Sequence, residues 1–131
     1  MKIIISGAYA IVTYLARLLA RNKEELTVID DDEDRLAEIG SDYDLLTVLG
    51  SPTSVKTLKE AGVGDADLFI ALMPNENENI NSCIIAHALH AKKTVAQVND
   101  AEYMEPAVQR MYADLGVDEL IYPELLAARD I

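Results

Sequence analysis

Residues 2–16 read KIIISGAYAIVTYLA, and this stretch decides the fold class of the chain. Residues 2–6 are rich in isoleucine, which is typical of a strand buried on both faces. Gly7 follows as a turn residue, and residues 9–21 show the spacing of apolar side chains that predicts a helix. A strand that feeds a helix through a glycine turn is the start of a dinucleotide-binding β–α–β unit.

The turn keeps one of the three glycines of the pattern G-x-G-x-x-G. Gly7 stands at the first position, Tyr9 at the second and Val12 at the third. The second glycine normally lets the backbone approach a pyrophosphate, and the third lets the helix pack closely on the strand. We therefore expect Val12 to press the helix off the strand, at roughly 1–3 kcal/mol. The Tyr9 ring either fills the cleft, with its hydroxyl in solvent, or contacts a ligand.

Short apolar runs alternate with helical patterns along the rest of the chain. Strands are predicted at residues 2–6, 26–30, 45–49, 68–72, 94–98 and 119–122. Helices are predicted at residues 9–21, 33–39, 54–61, 76–89 and 104–115, with a last one at 124–128. Asn75 is expected to cap the helix that starts at residue 76, and Gly62, Gly64 and Gly116 are expected to stop helices. The pattern predicts a single α/β domain over residues 1–131, with a doubly wound, parallel, six-stranded sheet in a three-layer, Rossmann-like arrangement.

Composition and charge exclude several classes of function. Half of the 131 residues are hydrophobic and 26% are charged, which indicates a globular protein. The net charge of −12 repels phosphate backbones and anionic lipid, so nucleic-acid binding is not expected. No apolar run approaches the roughly 20 residues that cross a bilayer, so membrane insertion is not expected. A single cysteine, Cys83, agrees with a cytoplasmic location.

The carboxyl ends of the strands are where an open α/β sheet binds ligands. Asp30 ends the second predicted strand 23 residues after Gly7, the spacing at which an acid binds the adenosine ribose. The acidic run at residues 31–34 disfavours a 2′-phosphate, so NAD(H) or an adenine nucleotide is expected rather than NADP. Alternatively, Asp31 or Asp32 caps the next helix and the following acids complement its dipole. A metal site in this run is not expected.

Two further groups of residues are ambiguous. Residues 50–54, which include Ser51, form either a nucleotide contact or a turn with a helix N-cap at Thr53 or Ser54. Cys83, His87 and His90 share one side of a predicted helix, where they could act as a nucleophile with its base or as metal ligands. The simpler interpretation makes Cys83 a small core residue. We therefore expect no catalytic or metal-binding residues; a divergent or redesigned Cys83–His87 hydrolase remains an alternative.

The whole chain resembles the NAD-binding domain of Trk-type potassium-uptake proteins, also called the RCK or KTN domain. The resemblance rests on the order and spacing of several segments, namely residues 1–7, 28–30 with Arg35, Gly50, 58–63, 65–71, Asn79 with Cys83, 91–94 and 121–124.

The resemblance implies a regulatory domain that binds NAD(H), or an adenine nucleotide, and passes the ligand state to a potassium channel or transporter subunit. It also implies a homodimer. The residues it places at the nucleotide are Gly7, Ala8, Tyr9, Ala10, Ile11, Asp30, Asp31, Arg35, Ser51, Met73 and Asn79. A dimerising scaffold without a ligand is the other alternative.

Further departures from the family pattern lie near this site. His90 stands where the family tends to end a helix with glycine, and Gln97 where it often has arginine, a phosphate partner. Family members also continue past residue 131 into a crossover helix and a second lobe, so we expect this chain to be an isolated domain or a truncated piece.

Overall fold

The computed structural model describes residues 1–42 and 44–123. Its strands are β1 (Lys2–Ser6), β2 (Glu25–Asp30), β3 (Leu46–Leu49), β4 (Leu68–Ala71), β5 (Thr94–Gln97) and β6 (Glu119–Ile121). Its α-helices are α1 (Ala10–Arg21), α2 (Glu33–Asp42), α3 (Val55–Glu60), α4 (Glu76–Ala88) and α5 (Pro106–Asp114). Short 3₁₀ turns at Val63–Asp65 and Ala101–Met104 precede β4 and α5.

The six strands form one parallel sheet in the order β3-β2-β1-β4-β5-β6. The chain moves outward from β1 to β3, then returns to place β4 on the other side of β1. This reversal makes the carboxyl ends of β1 and β4 the topological switch point, where open α/β sheets hold their ligands.

Alternating side chains of the central strands divide the core into two layers. Ile3 and Ile5 face the layer that contains α1 and α2, whereas Ile4 faces the layer of α3 and α4. The period of two follows from the pleat of a strand. Both faces of β1 are therefore buried, which confirms the three-layer arrangement that the sequence pattern predicts.

The predicted fold is confirmed, and most element boundaries differ by one or two residues. The largest difference is in α2, which extends to Asp42 rather than to residue 39, while α5 begins at Pro106 rather than at residue 104. Proline suits the first turn of a helix because its missing N–H would have no partner there. Gly64 was expected to stop a helix, which is wrong: it lies inside a 3₁₀ turn, and Gly62, with φ of 82°, follows α3 instead.

The predicted last helix at residues 124–128 lies outside the described residues. Among the described residues, none of the helices combines the length and the apolar character that crossing a bilayer demands.

Candidate functional site

Gly7 makes the turn between β1 and α1 at the switch point. Its φ is +104°, a conformation that suits glycine. A Cβ atom at this position would lie 2.8 Å from the carbonyl oxygen of Leu72, in the loop after β4. The backbones of the two loops therefore approach each other closely, and the first glycine is required by the fold itself.

The N-terminus of α1 opens directly after this turn. The carbonyl of Tyr9 accepts hydrogen bonds from Val12 and Thr13. The N–H groups of Tyr9, Ala10 and Ile11 have no acceptor within the part of the chain that the structure describes. The first turn of α1 also carries no acidic residue. Unpaired N–H groups at the positive end of a helix dipole form an arrangement that suits a phosphate.

Val12 occupies the position of the third glycine and is fully buried in the layer of α1 and α2. It lies in one cluster with Ile3, Ile5, Ala8 and Ala16. Val12 is thus a core residue, and its replacement by glycine would leave a cavity. The expected displacement of α1 from β1 by this side chain stays a prediction.

Asp30 ends β2 with its side chain fully buried, and protein groups already bind both of its carboxylate oxygens. Oδ1 accepts hydrogen bonds from Asp32 N at 2.9 Å and from Arg35 Nη2 at 2.8 Å. Oδ2 accepts from Ala8 N at 2.8 Å and from Arg35 Nε at 3.1 Å. Burial opposes ionisation of Asp30, but these hydrogen bonds outweigh it and hold its pKa below the usual value.

The acidic run after β2 serves the helix and the arginine. Asp32 caps α2, because its Oδ1 accepts from the N–H groups of Asp34 and Arg35. The Arg35 guanidinium also lies 3.1 Å from Asp32 Oδ2 and 3.4 Å from Asp31 Oδ1. Its hydrogen bond to Asp30 raises the pKa of Arg35, so this group stays charged.

Tyr9 covers the arginine. The guanidinium carbon of Arg35 lies 4.5 Å from the centroid of the Tyr9 ring, which is a cation–π contact. Burial raises the pKa of the Tyr9 hydroxyl, and the charges of Asp30 and Asp31 add to the shift.

Beside this pair lies a cavity of about 430 Å³ between α1 and α2. Its lining residues are Ala8, Tyr9, Ala10, Thr13, Arg35, Glu38 and Ile39.

A family model described as the TrkA-N domain matches residues 3–123. The chain belongs to the TrkA-N family. This TrkA-N domain is 37% identical over 125 residues to the Trk system potassium uptake protein TrkA of Halomonas elongata, covering 95% of this chain and 27% of that protein. It is 31% identical over 128 residues to a TrkA homologue of Methanothermobacter thermautotrophicus, covering 98% of this chain and 57% of the relative. The domain thus spans only part of the relatives it matches.

Solved structures agree on the fold of the TrkA-N domain. The TrkA-N domain of the inner membrane protein ybaL from Escherichia coli superposes with a TM-score of 0.84, at 18% identity and with 98% of this chain and 92% of that chain covered. The GsuK channel bound to NAD superposes with a TM-score of 0.76 at 24% identity, with 92% of this chain and 21% of that chain covered. The Kef C-terminal domain of Shewanella denitrificans in AMP-bound form superposes with a TM-score of 0.71 at 22% identity, with 93% of this chain and 71% of that chain covered.

Asn79 and Met73 lie beneath the crevice of this TrkA-N domain rather than at its surface. Asn79 is fully buried; its Nδ2 donates to the carbonyls of Met73 and Gln97, and its Oδ1 accepts from Met73 N. This amide joins the carboxyl ends of β4 and β5. Both residues therefore form part of the buried base of the crevice. A direct contact of either residue with a ligand stays a prediction.

Ser51 lies exposed in the loop after β3. Its Oγ is 3.0 Å from Thr53 Oγ1 and accepts from Thr53 N. Ser54 caps α3 by accepting from Thr57 N, so the N-cap interpretation of this segment is confirmed. A contact between Ser51 and a nucleotide remains a prediction.

The Cys83 hydrolase alternative finds no support in the geometry. Cys83 is fully buried, and its Sγ donates to the carbonyl of Val95. Burial raises the pKa of the thiol to about 12, so it stays protonated at neutral pH and is a poor nucleophile. His87 is exposed on α4 and lies against Gly116.

Sequence reasoning missed the role of Glu78 at the electrostatics of the crevice. Asn75 caps α4 as predicted, by accepting from the N–H groups of Asn77 and Glu78. Burial raises the pKa of Glu78, and the charges of Asp31 and Asp30 add to the shift. The parallel topology offered a signal, since the end of β2 and the start of α4 lie at the same edge of the sheet.

Proposed function

We propose that this domain is a non-catalytic, regulatory nucleotide-binding module of a potassium-uptake system. The observation that carries the proposal is the set of unpaired N–H groups of Tyr9, Ala10 and Ile11 beside a β2-terminal acid. The family membership supports it, because two relatives are potassium-uptake proteins by name. Two proteins that share this fold, the GsuK channel and the Kef C-terminal domain, hold NAD and AMP, which supports a nucleotide as the class of ligand.

In this proposal the phosphates lie at the turn from Gly7 to Ile11, because the helix dipole and the free N–H groups stabilise negative charge there. The adenosine lies toward Asp30, Asp31 and Arg35. Ser51 lies at the edge of the crevice, and Met73 and Asn79 form its buried base.

The proposed ligand is NAD(H) or an adenine nucleotide rather than NADP. Asp31 and Asp32 already pair with Arg35, so this cation is not free to bind a 2′-phosphate. A further phosphate at the ribose would instead meet three carboxylates, a like-charge contact that weakens binding.

The proposed partner is the membrane subunit of a potassium channel or transporter, with the domain on its cytoplasmic side as a homodimer. The names of the relatives and the resemblance support this assignment. Sedimentation velocity of the purified chain tests the dimer, which would be refuted by a monomer at all concentrations up to about 100 μM, well above typical affinities for stable dimers.

An acidic residue in the first turn of α1 tests the phosphate position. Ile11 is half exposed, so Ile11→Asp leaves the core intact, complements the helix dipole and places a charge where the phosphate would lie. Leu18→Asp is the matched control, because Leu18 is also exposed on α1 but lies two turns further along. Calorimetric titration with NAD, NADH, ATP, ADP and AMP gives the affinities.

The expected result is that the unmodified chain binds at least one of these nucleotides. Ile11→Asp then weakens that binding by about tenfold, an electrostatic loss of about 1.4 kcal/mol, while Leu18→Asp stays within about twofold of the unmodified chain. Binding that survives unchanged in Ile11→Asp contradicts the phosphate position. Failure of every nucleotide to bind contradicts the sensor function and favours the scaffold alternative.

A further inference from the structure

Tyr9 and Arg35 lie over Asp30, the acid that is proposed to bind the ribose of the nucleotide. The Arg35 guanidinium presents one edge to Asp30, with hydrogen bonds of 2.8 and 3.1 Å, and its central carbon lies over the Tyr9 ring, 4.5 Å from the ring centroid. Its remaining nitrogen lies 3.1 Å from Asp32. The guanidinium is therefore held by the carboxylates and by the cation–π contact with the ring.

Asp30 has no capacity left for a ribose in this arrangement. A carboxylate offers about four acceptor sites, and four N–H groups occupy them: those of Ala8 and Asp32 from the backbone and two from Arg35. The side chain is also fully buried. A ribose hydroxyl can reach Asp30 only after Arg35 releases it.

Tyr9 opposes that release. Turning Arg35 away from Asp30 would break the contact between the guanidinium and the ring, which adds to the cost of losing the paired hydrogen bonds. A glycine at position 9, as in the motif from which this turn departs, provides no such ring.

We propose that Tyr9 is the residue that sets the adenosine affinity of this site, because its ring holds Arg35 on Asp30 and stands in for a bound adenosine. This inference rests on the proposed nucleotide-binding function and deepens it. Adenosine ligands bind by displacing the ring from Arg35. A flat purine then replaces part of the lost cation–π contact, whereas a ribose phosphate without a base does not.

Tyr9→Ala tests the proposal, with Tyr14→Ala as the matched control. Both tyrosines lie near the start of α1, and Tyr14 is 55% exposed and outside the site. Titrations of each variant use adenosine, AMP and NAD. Tyr9→Ala is expected to bind all three about fivefold more tightly than the unmodified chain, the equivalent of one cation–π contact of about 1 kcal/mol. Tyr14→Ala stays within about twofold, and Tyr9→Phe, which keeps the ring, restores the affinity of the unmodified chain.

The ligands separate the possible outcomes. Tighter binding of NAD without tighter binding of adenosine would place the ring in the pyrophosphate path and overturn the proposal. Equal affinities for the unmodified chain and Tyr9→Ala would also overturn it, while leaving the sensor function intact. If none of the variants binds any of the three ligands, the sensor function fails and this inference fails with it.

Nuclear magnetic resonance of the Arg35 Nε–H group gives a second readout that does not depend on affinity. This proton is held between Arg35 and Asp30, so it is expected to exchange slowly in the unmodified chain and in Tyr14→Ala. Exchange becomes faster in Tyr9→Ala and when adenosine saturates the unmodified chain. An Arg35 signal that neither change affects would refute the displacement.

Discussion

At the scale of single residues, Gly7 shows why a retained motif glycine is weak evidence for a ligand. Its φ of +104° and the position of the Leu72 carbonyl both exclude a side chain, whether or not a nucleotide binds. Tyr9 and Val12 stand where no such constraint acts, since Val12 fits into the core and Tyr9 lies over Arg35. The motif has therefore kept the glycine that the fold requires and lost the two that serve binding and close packing.

Replacement of Gly7 by alanine tests this interpretation. We expect Gly7→Ala to lower the free energy of unfolding by about 2 kcal/mol or more, because the new Cβ is strained at positive φ and lies 2.8 Å from a backbone oxygen. Gly40→Ala is the control: Gly40 lies in α2, where a Cβ would meet only Thr47 Cγ2 at 3.4 Å. Alanine should stabilise that helix by about 0.5–1 kcal/mol. Equal urea midpoints for Gly7→Ala and the unmodified chain, without ligand, would contradict the structural role.

Sequence reasoning at this scale could place Asp30 but not its partners. The end of a predicted strand and the distance from Gly7 put the acid at the ligand edge of the sheet. The contact between Tyr9 and Arg35 depends on two side-chain conformations and on the entry angle of α2, which no local pattern specifies. The same holds for Glu78, because the charges of Asp31 and Asp30 can raise its pKa only once β2 and α4 share one edge of the sheet.

At the scale of elements, α4 and α5 end in the same way with different residues. In both, the residue after the C-cap donates to a carbonyl three residues back, and the next N–H donates five residues back. This is the Schellman arrangement, which needs a left-handed residue. Gly116 provides it after α5 with φ of 104°, and His90 provides it after α4 with φ of 81°. The family glycine that His90 replaces thus corresponds to a real backbone requirement.

His90→Gly is therefore expected to stabilise the domain by about 1 kcal/mol, because a left-handed conformation strains a residue with a Cβ. Thermal unfolding followed by circular dichroism measures the change. Ala88→Gly is the control, since Ala88 has helical conformation at the end of α4 and its replacement should destabilise by up to about 1 kcal/mol. A His90→Gly variant no more stable than the unmodified chain would show that this histidine makes a compensating contact.

Elements with a strong local pattern were predicted well, and irregular ones were not. The strands β1 and β2 are largely buried on both faces, and Asn75 marks the start of α4. The helix predicted at residues 104–115 begins at Met104, which instead ends the 3₁₀ turn at Ala101–Met104. Asp100 caps that turn, and Glu105 adopts the extended conformation that a residue before proline favours, so α5 begins only at Pro106.

At the scale of the whole molecule, the charge distribution acts on stability as well as on ligand choice. The chain has 23 acidic and 11 basic residues, a net charge of −12. Several surface ion pairs exist, such as Lys92 with Asp67 and Lys93 with Glu119, but exposed pairs contribute little. The excess of negative charge has no partner in such pairs, so the folded state carries a net self-repulsion.

Salt should therefore stabilise this domain. An increase from 20 mM to 500 mM NaCl shortens the screening length from about 20 Å to about 4 Å, which weakens the repulsion between acidic residues more than it weakens the few short ion pairs. We expect the melting temperature to rise by roughly 4 °C, equivalent to about 1 kcal/mol for a chain of this size. KCl at equal ionic strength is the control: an equal rise identifies screening as the cause, a larger rise in KCl would indicate a bound potassium ion, and a fall in both salts would mean that attractive ion pairs outweigh the net charge.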